Sequence, residues 1–218
     1  MIEILSKYWP SLFHGAMVTL MVSILSWVIG ILFGFAFGMA FSRSENLRRS
    51  INSISFIFSS IPALVILFWF HYPAQAILGL VIDPFITTIF VLALLNTIYV
   101  ADIVSFSASR LSMEYFEVAF ICGWERTAAF KLIDLPLIIR ASAGRIISTQ
   151  VLILHMSLFA SMISLDELFR SAQRINSLEY RPVEIYTILA LFYFVLSAPL
   201  LALSSKLNKK YGRDFSER

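Results

Sequence analysis

The sequence predicts an all-α integral membrane protein of about five spanning helices. Three observations carry that expectation. Charged residues make up 14% of the 218 and hydrophobic ones 59%, whereas soluble domains carry roughly 25% charged residues. Five windows lack Asp, Glu, Lys and Arg altogether: 15–41, 51–82, 84–101, 146–165 and 185–205. Each has the length that crosses a hydrocarbon core, about 17–25 residues at helical rise. Their apolar runs are continuous. A membrane barrel alternates, and in lipid only helices and closed barrels satisfy their own backbone, so helices follow.

The elements fall in order along a single transmembrane domain covering 1–218. The first span is read over 13–41, long enough to tilt. Met1 to Pro10 carries Glu3 and Lys7 rather than a basic cluster before a small-residue cleavage site, so the first span is expected to direct insertion itself. The second window is interrupted by Pro62, His71 and Pro73 and reads as a span over 52–71 followed by an outer connection through Asp83 and Pro84. Further spans are read over 86–104, 143–163 and 184–205. Pro62 and Pro199 are expected to shape their helices, and His14 and His71 to sit near span ends.

Five spans place the termini on opposite sides, and positive charge decides which is which. One set of connections and the C-terminus hold thirteen of the seventeen basic residues, among them Arg43, Arg48, Arg49, Arg110, Arg126, Lys131, Arg140 and Arg145; the other set holds Lys7, Arg170, Arg174 and Arg181. The 105–141 loop and the C-terminus are therefore expected in the cytoplasm and the N-terminus outside. The net charge of +3 reads as this topology signal. Nucleic-acid binding needs a basic patch on a soluble face, and no such patch is present in the sequence.

The 105–141 loop is too apolar for a solvated tether. Phe116, Val118, Ala119, Phe120, Trp124 and Phe130 interleave with Glu114, Glu117, Glu125, Arg126, Lys131 and Asp134. On a helix Phe116, Ala119, Phe120 and Gly123 share one face, leaving Glu114, Glu117 and Arg110 to a partner. Gly123 suits a helix C-terminus, and Pro136 suits the start or kink of the next helix. Two readings fit: a rigid lever seated in a partner's groove, or an amphipathic helix on the bilayer surface. The lone Cys122 reads as a small buried apolar residue.

Polar residues inside spans are costly and face the bundle interior or water. Asn96, Tyr99 and Asp102 recur at i, i+3 and i+6; Gln150, Ser157 and Ser161 share a broad face of the fourth span, with His155 to its side. They fit either a polar translocation pathway between the two helices or interhelical hydrogen bonds. Asp102, near the cytoplasmic end, is expected to hold a gate or to pair with Arg110 or Arg140. Gly30, Gly34 and Gly38 recur at four-residue intervals, the spacing that lets helix backbones approach closely in lipid. Three scattered histidines and one cysteine make no metal cluster, and no phosphate-cradling G-x-x-x-x-G-K-[ST] run occurs.

Glu117, Val118 and Ala119, then Gly123, then nine positions, then Ile133, Leu135 and Pro136 reproduce the spacing of the EAA loop, and the chain resembles the permease subunits of ABC importers. Val118, for the first alanine, is the one departure. The likeness covers most of the chain and points to the polar amino acid branch, whose opening G-x-x-x-T-L is matched by Gly15, Thr19 and Leu20. Elsewhere the frame persists while the intramembrane polar positions differ. Ser59, Ser60, Ile61 and Pro62 stand for R-G-T-P. Tyr99, Asp102 and Ile103 match A-Y-x-x-E-I, but Ser105 replaces the arginine that follows. His155, Met156, Ser157, Leu158 and Phe159 stand for K-D-T-S-L, ahead of an E-L pair at Glu167 and Leu168.

The resemblance implies a type I importer permease fold in a bacterial cytoplasmic membrane, with no catalytic residues and no cofactor held by this chain. It implies ATPase subunits that use ATP and Mg²⁺ and dock at Glu117–Gly123, an extracytoplasmic solute-binding protein, and a second permease subunit. A heterodimer is favoured, because the usual polar motifs are altered here. The competing class is a self-sufficient secondary carrier or channel, which generally shows internal repeats and intramembrane charge pairs. A membrane-embedded enzyme would need an acid–base, nucleophile or metal constellation that the residues do not supply.

Overall fold

The computed structural model describes residues 1–110 and 125–211. Glu117, Val118, Ala119 and Gly123 lie outside the described residues. All regular structure among the described residues is helical: α1 (Ile2–Phe41), α2 (Glu45–Ser60), α3 (Ala63–His71), α4 (Pro73–Leu78), α5 (Pro84–Ser109), α6 (Leu135–Met156), α7 (Leu168–Glu179) and α8 (Pro182–Tyr211). A single turn, Arg126–Ala129, and a π-helical stretch, Phe130–Asp134, lead into α6, and a 3₁₀ stretch, Ser157–Ile163, leads out of it.

Four stretches are long and apolar enough to cross a membrane: α1, α5, α6 with its flanking π and 3₁₀ turns, and α8. A fifth is broken. The chain bends by 88° between Glu45–Ser60 and Ala63–Leu78. Pro62 is the cause: it pushes the preceding residue out of the helical region, and Ile61 is extended, with φ −98° and ψ 126°. The second span, expected as one piece over 52–71, is thus two half-helices.

Local chemistry sets most boundaries. The Ser44 hydroxyl caps α2 by accepting from the Leu47 amide at 3.3 Å, and Glu45 pairs with Arg48 and Arg49 one turn on. Pro73 and Pro84 open α4 and α5, where the missing amide hydrogen costs nothing. Asp83 caps α5 through the Phe85 amide at 2.8 Å. Gly79, left-handed at φ 64°, ends α4. α1 runs further than the span read from hydropathy. Its first three turns pass through Pro10 and pack Ile4 and Leu12 against Ile175, Ile185 and Ile188 of α7 and α8.

The core forms where α1, α3, α5 and α6 meet, around Val22, Leu67, Val91, Leu95 and Ile153. The α1–α5 contact is the most extensive between helices among the described residues. A Cβ on Gly30 would lie 2.5 Å from Asn96 Cβ, one on Gly34 would lie 2.6 Å from Val100 Cβ, and one on Gly38 would lie 2.6 Å from Val104 Cβ. The bare glycine backbone therefore admits α5, as small residues do between helices in lipid. The opposite face of α1 turns Met21, Leu25, Val28, Leu32 and Phe37 outward. A comparable close approach joins α6 to α8: a Cβ on Gly144 would lie 2.6 Å from Asn208 Cγ, and Ser204 Oγ donates to the Gly144 carbonyl at 2.7 Å.

Filling the α1–α5 seam tests this packing. Gly34→Leu is expected to destabilise the bundle by about 1–3 kcal/mol, the usual cost of overpacking. Unfolding of the purified protein by detergent titration reads it out. Leu at exposed Met21 serves as the control and leaves the midpoint unchanged.

Candidate functional site: the polar seam of the bundle

Asn96 and Gln150 come together. Asn96 Nδ2 donates to Gln150 Oε1 at 2.9 Å and to the Ser26 carbonyl at 3.2 Å. Gln150 Nε2 returns a bond to Asn96 Oδ1 at 3.2 Å and reaches the Ile146 carbonyl at 3.0 Å. Asn96 is 0% and Gln150 4% exposed. This reciprocal amide pair staples α1, α5 and α6 at one level, with Gly30 against the Asn96 side chain. A buried amide left unmatched in such a place is expensive, and here both side chains are spent on the protein itself.

Ser157 and Ser161 are also closed off. Each is buried, and their hydroxyls donate back along the chain to the Leu154 and Leu158 carbonyls at 2.7 and 2.8 Å. Tyr99, Asp102 and His155 are the candidates that stay accessible. Tyr99 lies against Ser59 of α2, just before the break in the second span. The His155 ring faces Tyr193 of α8 edge-on at 6.1 Å. The structure therefore does not gather the seven residues into one lining. It divides them into an internal staple, two self-bonded serines and three accessible groups at different levels.

Asp102 anchors a second cluster toward the 105–141 end. Its Oδ2 accepts from Ser55 Oγ of α2 at 3.2 Å. Asn52, with its amide nitrogen turned to the carboxylate, donates to Oδ1 at 2.8 Å. Asp102 does not pair with Arg110 or Arg140, the partners expected from the sequence; Arg145 of α6 is the cation whose charge reaches it, from beyond ion-pair distance. Arg145 and Arg110 flank the Phe106 ring at 4.9 and 4.4 Å, and Arg48 donates to Ser109 Oγ at 3.3 Å. The physical reason is helical phase. Arg145 lies five residues beyond Arg140, about 140° round α6, on the side that approaches Phe106 of α5. Asp102 thus joins the first half of the broken span to α5.

The joint into α6 holds Ile133, Leu135 and Pro136. All three are half-buried. The Leu135 amide bonds back five residues to the Phe130 carbonyl, and this wider turn precedes Pro136, which has no amide to donate. Pro136 lies in the first turn of α6, as expected of a proline that begins a helix, and that turn is directly continuous with the π stretch. Asp134 is 4% exposed within that stretch, and its Oδ2 has no hydrogen-bond partner among the described residues.

Ser55, Asn52 and Arg145 were not legible as site residues; Thr19 and Glu167 were legible only as matches to a family motif and Tyr193 not at all, and these three meet at the other end of the bundle. The available signal was a carboxylate near span residues that carry hydroxyls. Only the fold brings those partners together.

A mutant cycle separates staple from lining. Asn96→Leu or Gln150→Leu alone leaves one buried amide unpaired and is expected to cost about 1–3 kcal/mol. The double variant is expected to cost less than the sum of the two. Detergent-induced unfolding of the four proteins measures the coupling.

Comparisons with known proteins agree with this architecture. The model of the family described as "Binding-protein-dependent transport system inner membrane component" matches residues 28–213. The histidine/lysine/arginine/ornithine transport system permease protein HisM of Salmonella typhimurium is 25% identical over 235 residues, covering 100% of both chains. HisM of Escherichia coli K12 is 26% identical over 97% of this chain and 96% of its own. The glutamate/aspartate import permease protein GltK of Escherichia coli O6:H1 is 25% identical over 71% of this chain and 72% of its own. Among solved structures, the crystal structure of an amino acid ABC transporter with histidines superposes with a TM-score of 0.81 at 25% identity, covering 94% of this chain and 96% of that one. The MetNI methionine ABC transporter in an inward-facing form shares the fold, with a TM-score of 0.78 at 16% identity over 94% of this chain and 98% of its own. With its helical frame and a family match across most of its length, the chain is a member of the binding-protein-dependent transport system inner membrane component family.

Proposed function

We propose that this chain is the permease subunit of an ATP-driven importer that moves polar amino acids, or a closely related small solute, by alternating access. The observation that carries the reading is the full-length likeness to HisM. The superposition on an amino acid transporter supports it. The chain supplies the path and the moving parts. A separate ATPase supplies the energy from ATP and Mg²⁺, and a solute-binding protein supplies substrate on the outer face. The N-terminus lies outside and the C-terminus in the cytoplasm, on the charge asymmetry.

A second permease subunit completes the path. The face of α2 that exposes Asn46, Ser50, Ser53 and Ser60 fits this arrangement, because polar groups in a span belong against protein or water rather than lipid. Of the candidate residues, Tyr99, Asp102 and His155 are assigned to the pathway. Asn96, Gln150, Ser157 and Ser161 are assigned to holding the helices that bound it. A related but different partner chain is favoured, since Ser59, His155 and Met156 stand where the resemblance places Arg, Lys and Asp.

The coupling segment, Glu117, Val118, Ala119 and Gly123 with Ile133, Leu135 and Pro136 beyond it, is where the ATPase grips. ATP binding draws the ATPase pair together, and the pull passes through the π-helical joint into α6. Through Arg145 and Asp102 it then reaches α5 and the broken span. Nucleotide shifts the population between inward- and outward-facing states by binding one of them better.

Gly123→Asp tests the reading. Membrane insertion is expected to be unchanged. ATP-driven uptake is expected to fall to background, and the ATPase subunit no longer to co-purify. Normal uptake by that variant would falsify the coupling role.

A further inference from the structure

At the end of the bundle opposite Asp102, one buried acid has no cation beside it among the described residues. Glu167 is 0% exposed and caps α7, its two oxygens accepting from the Phe169 and Arg170 amides at 2.8 Å each. Thr19 Oγ1 of α1 and Tyr193 Oη of α8 each donate to Glu167 Oε2 at 3.4 Å. Thr19 Oγ1 in turn accepts from the Leu168 amide at 3.2 Å. Gly15, one turn before Thr19, leaves the space: a Cβ there would lie 2.7 Å from Ser171 Oγ and 2.9 Å from Leu168 Cα. The Gly15–Thr19 element is thus a seat for the first turn of α7, and the carboxyl is the knot that joins three helices.

The charged groups nearby point elsewhere. On α7, Arg170 turns its guanidinium to Asp166 at 3.1 Å and to the Ser161 carbonyl at 2.8 Å, and Arg174 pairs with Asp166 at 2.6 Å. On α1, Lys7 and Tyr8 both donate to Glu179, at 2.7 and 2.6 Å, and His14 is exposed. From α8 the facing titratable group is Tyr193, with His155 of α6 behind its ring. The 3₁₀ stretch offers only the neutral Ser157 and Ser161. Burial without a counter-charge lifts the Glu167 carboxyl to about 7, against the lowering by the two amides, Thr19 and Tyr193.

We infer that Glu167 is a positioning residue, a proton-responsive clamp whose bonds to Thr19, Tyr193 and the first amides of α7 set how firmly that helix is seated on α1 and α8. A carboxyl lifted in the seated state holds α7 most firmly below its ordinary pKa of 4.5; the seating weakens as pH rises to about 7 and is level beyond. On the proposed topology α7 lies at the outer mouth, so the pH of the outer compartment tunes the entrance. That bearing on uptake rests on the importer reading, whereas the seating itself does not.

Hydrogen exchange of the Leu168–Ala172 amides tests the clamp, with the assembled transporter in nanodiscs and rates corrected for intrinsic exchange. In the wild type the opening equilibrium is expected to rise by up to about tenfold per pH unit across this window and then flatten. Glu167→Gln is expected to abolish the slope. Tyr193→Phe, which removes a donor to the charged form, is expected to move the upper end of the window to higher pH. A flat wild-type profile, or an unchanged slope in Glu167→Gln, overturns the inference; a merely structural cap would loosen that variant equally at every pH. Should Glu167→Gln not fold, an unshifted window in Tyr193→Phe overturns it instead. Loss of the importer reading would appear separately, as absent ATP-driven uptake beside an intact pH profile.

Discussion

The close approach of α1 and α5 is the constraint on which the rest of the bundle depends. Gly30, Gly34 and Gly38 expose backbone where side chains would otherwise hold the helices apart, and Asn96, Val100 and Val104 fill that space. Lipid supplies no hydrophobic drive between apolar helices, so contact, shape and hydrogen bonds must do it. Once α5 is seated in the glycine seam, Asn96 stands at the right depth to bond Ser26 and Gln150. That bond fixes α6 to the same two helices. The polar staple and the glycine seam are therefore one device rather than two.

Toward the 105–141 end, Asp102 links α5 to Ser55 and Asn52 of the broken span, and Arg145 of α6 lies over Phe106 of α5. α6 is continuous with the π-helical stretch and the turn at Arg126–Ala129. The π turn is a natural place for compliance, because its hydrogen bonds are already wider than those of the helix it joins. At the other end, Glu167 collects α1, α7 and α8. The bundle thus has a dry, bonded middle and a polar cluster at each end, the arrangement expected where the two ends open in turn.

Much of this was legible in the sequence. Uncharged windows marked the spans, the four-residue glycine interval marked a packing face, and Pro62 marked a disturbance in the second span. Hydropathy underestimated α1, whose first turns carry Glu3 and Lys7 yet pack against α7 and α8. It also hid the size of the bend at Pro62, because a proline states that a helix is interrupted but not through what angle. The polar residues were found individually, but the sequence does not say which pair with each other. Asn96 and Gln150 lie 54 positions apart, and Asp102 finds its partners Ser55 and Asn52 on α2. Periodicity places residues on a face; only tertiary packing decides whether that face meets water or another amide.

Cys122, the single cysteine in the chain, lies beside Gly123 and offers the most direct measurement. A short bifunctional thiol reagent applied to native membranes is predicted to join Cys122 to an ATPase subunit, with a yield that changes when ATP replaces ADP. Labelling of Cys122 from the outer face alone, or adducts to no nucleotide-binding protein in either state, would contradict the claim that a separate motor drives this bundle through that segment.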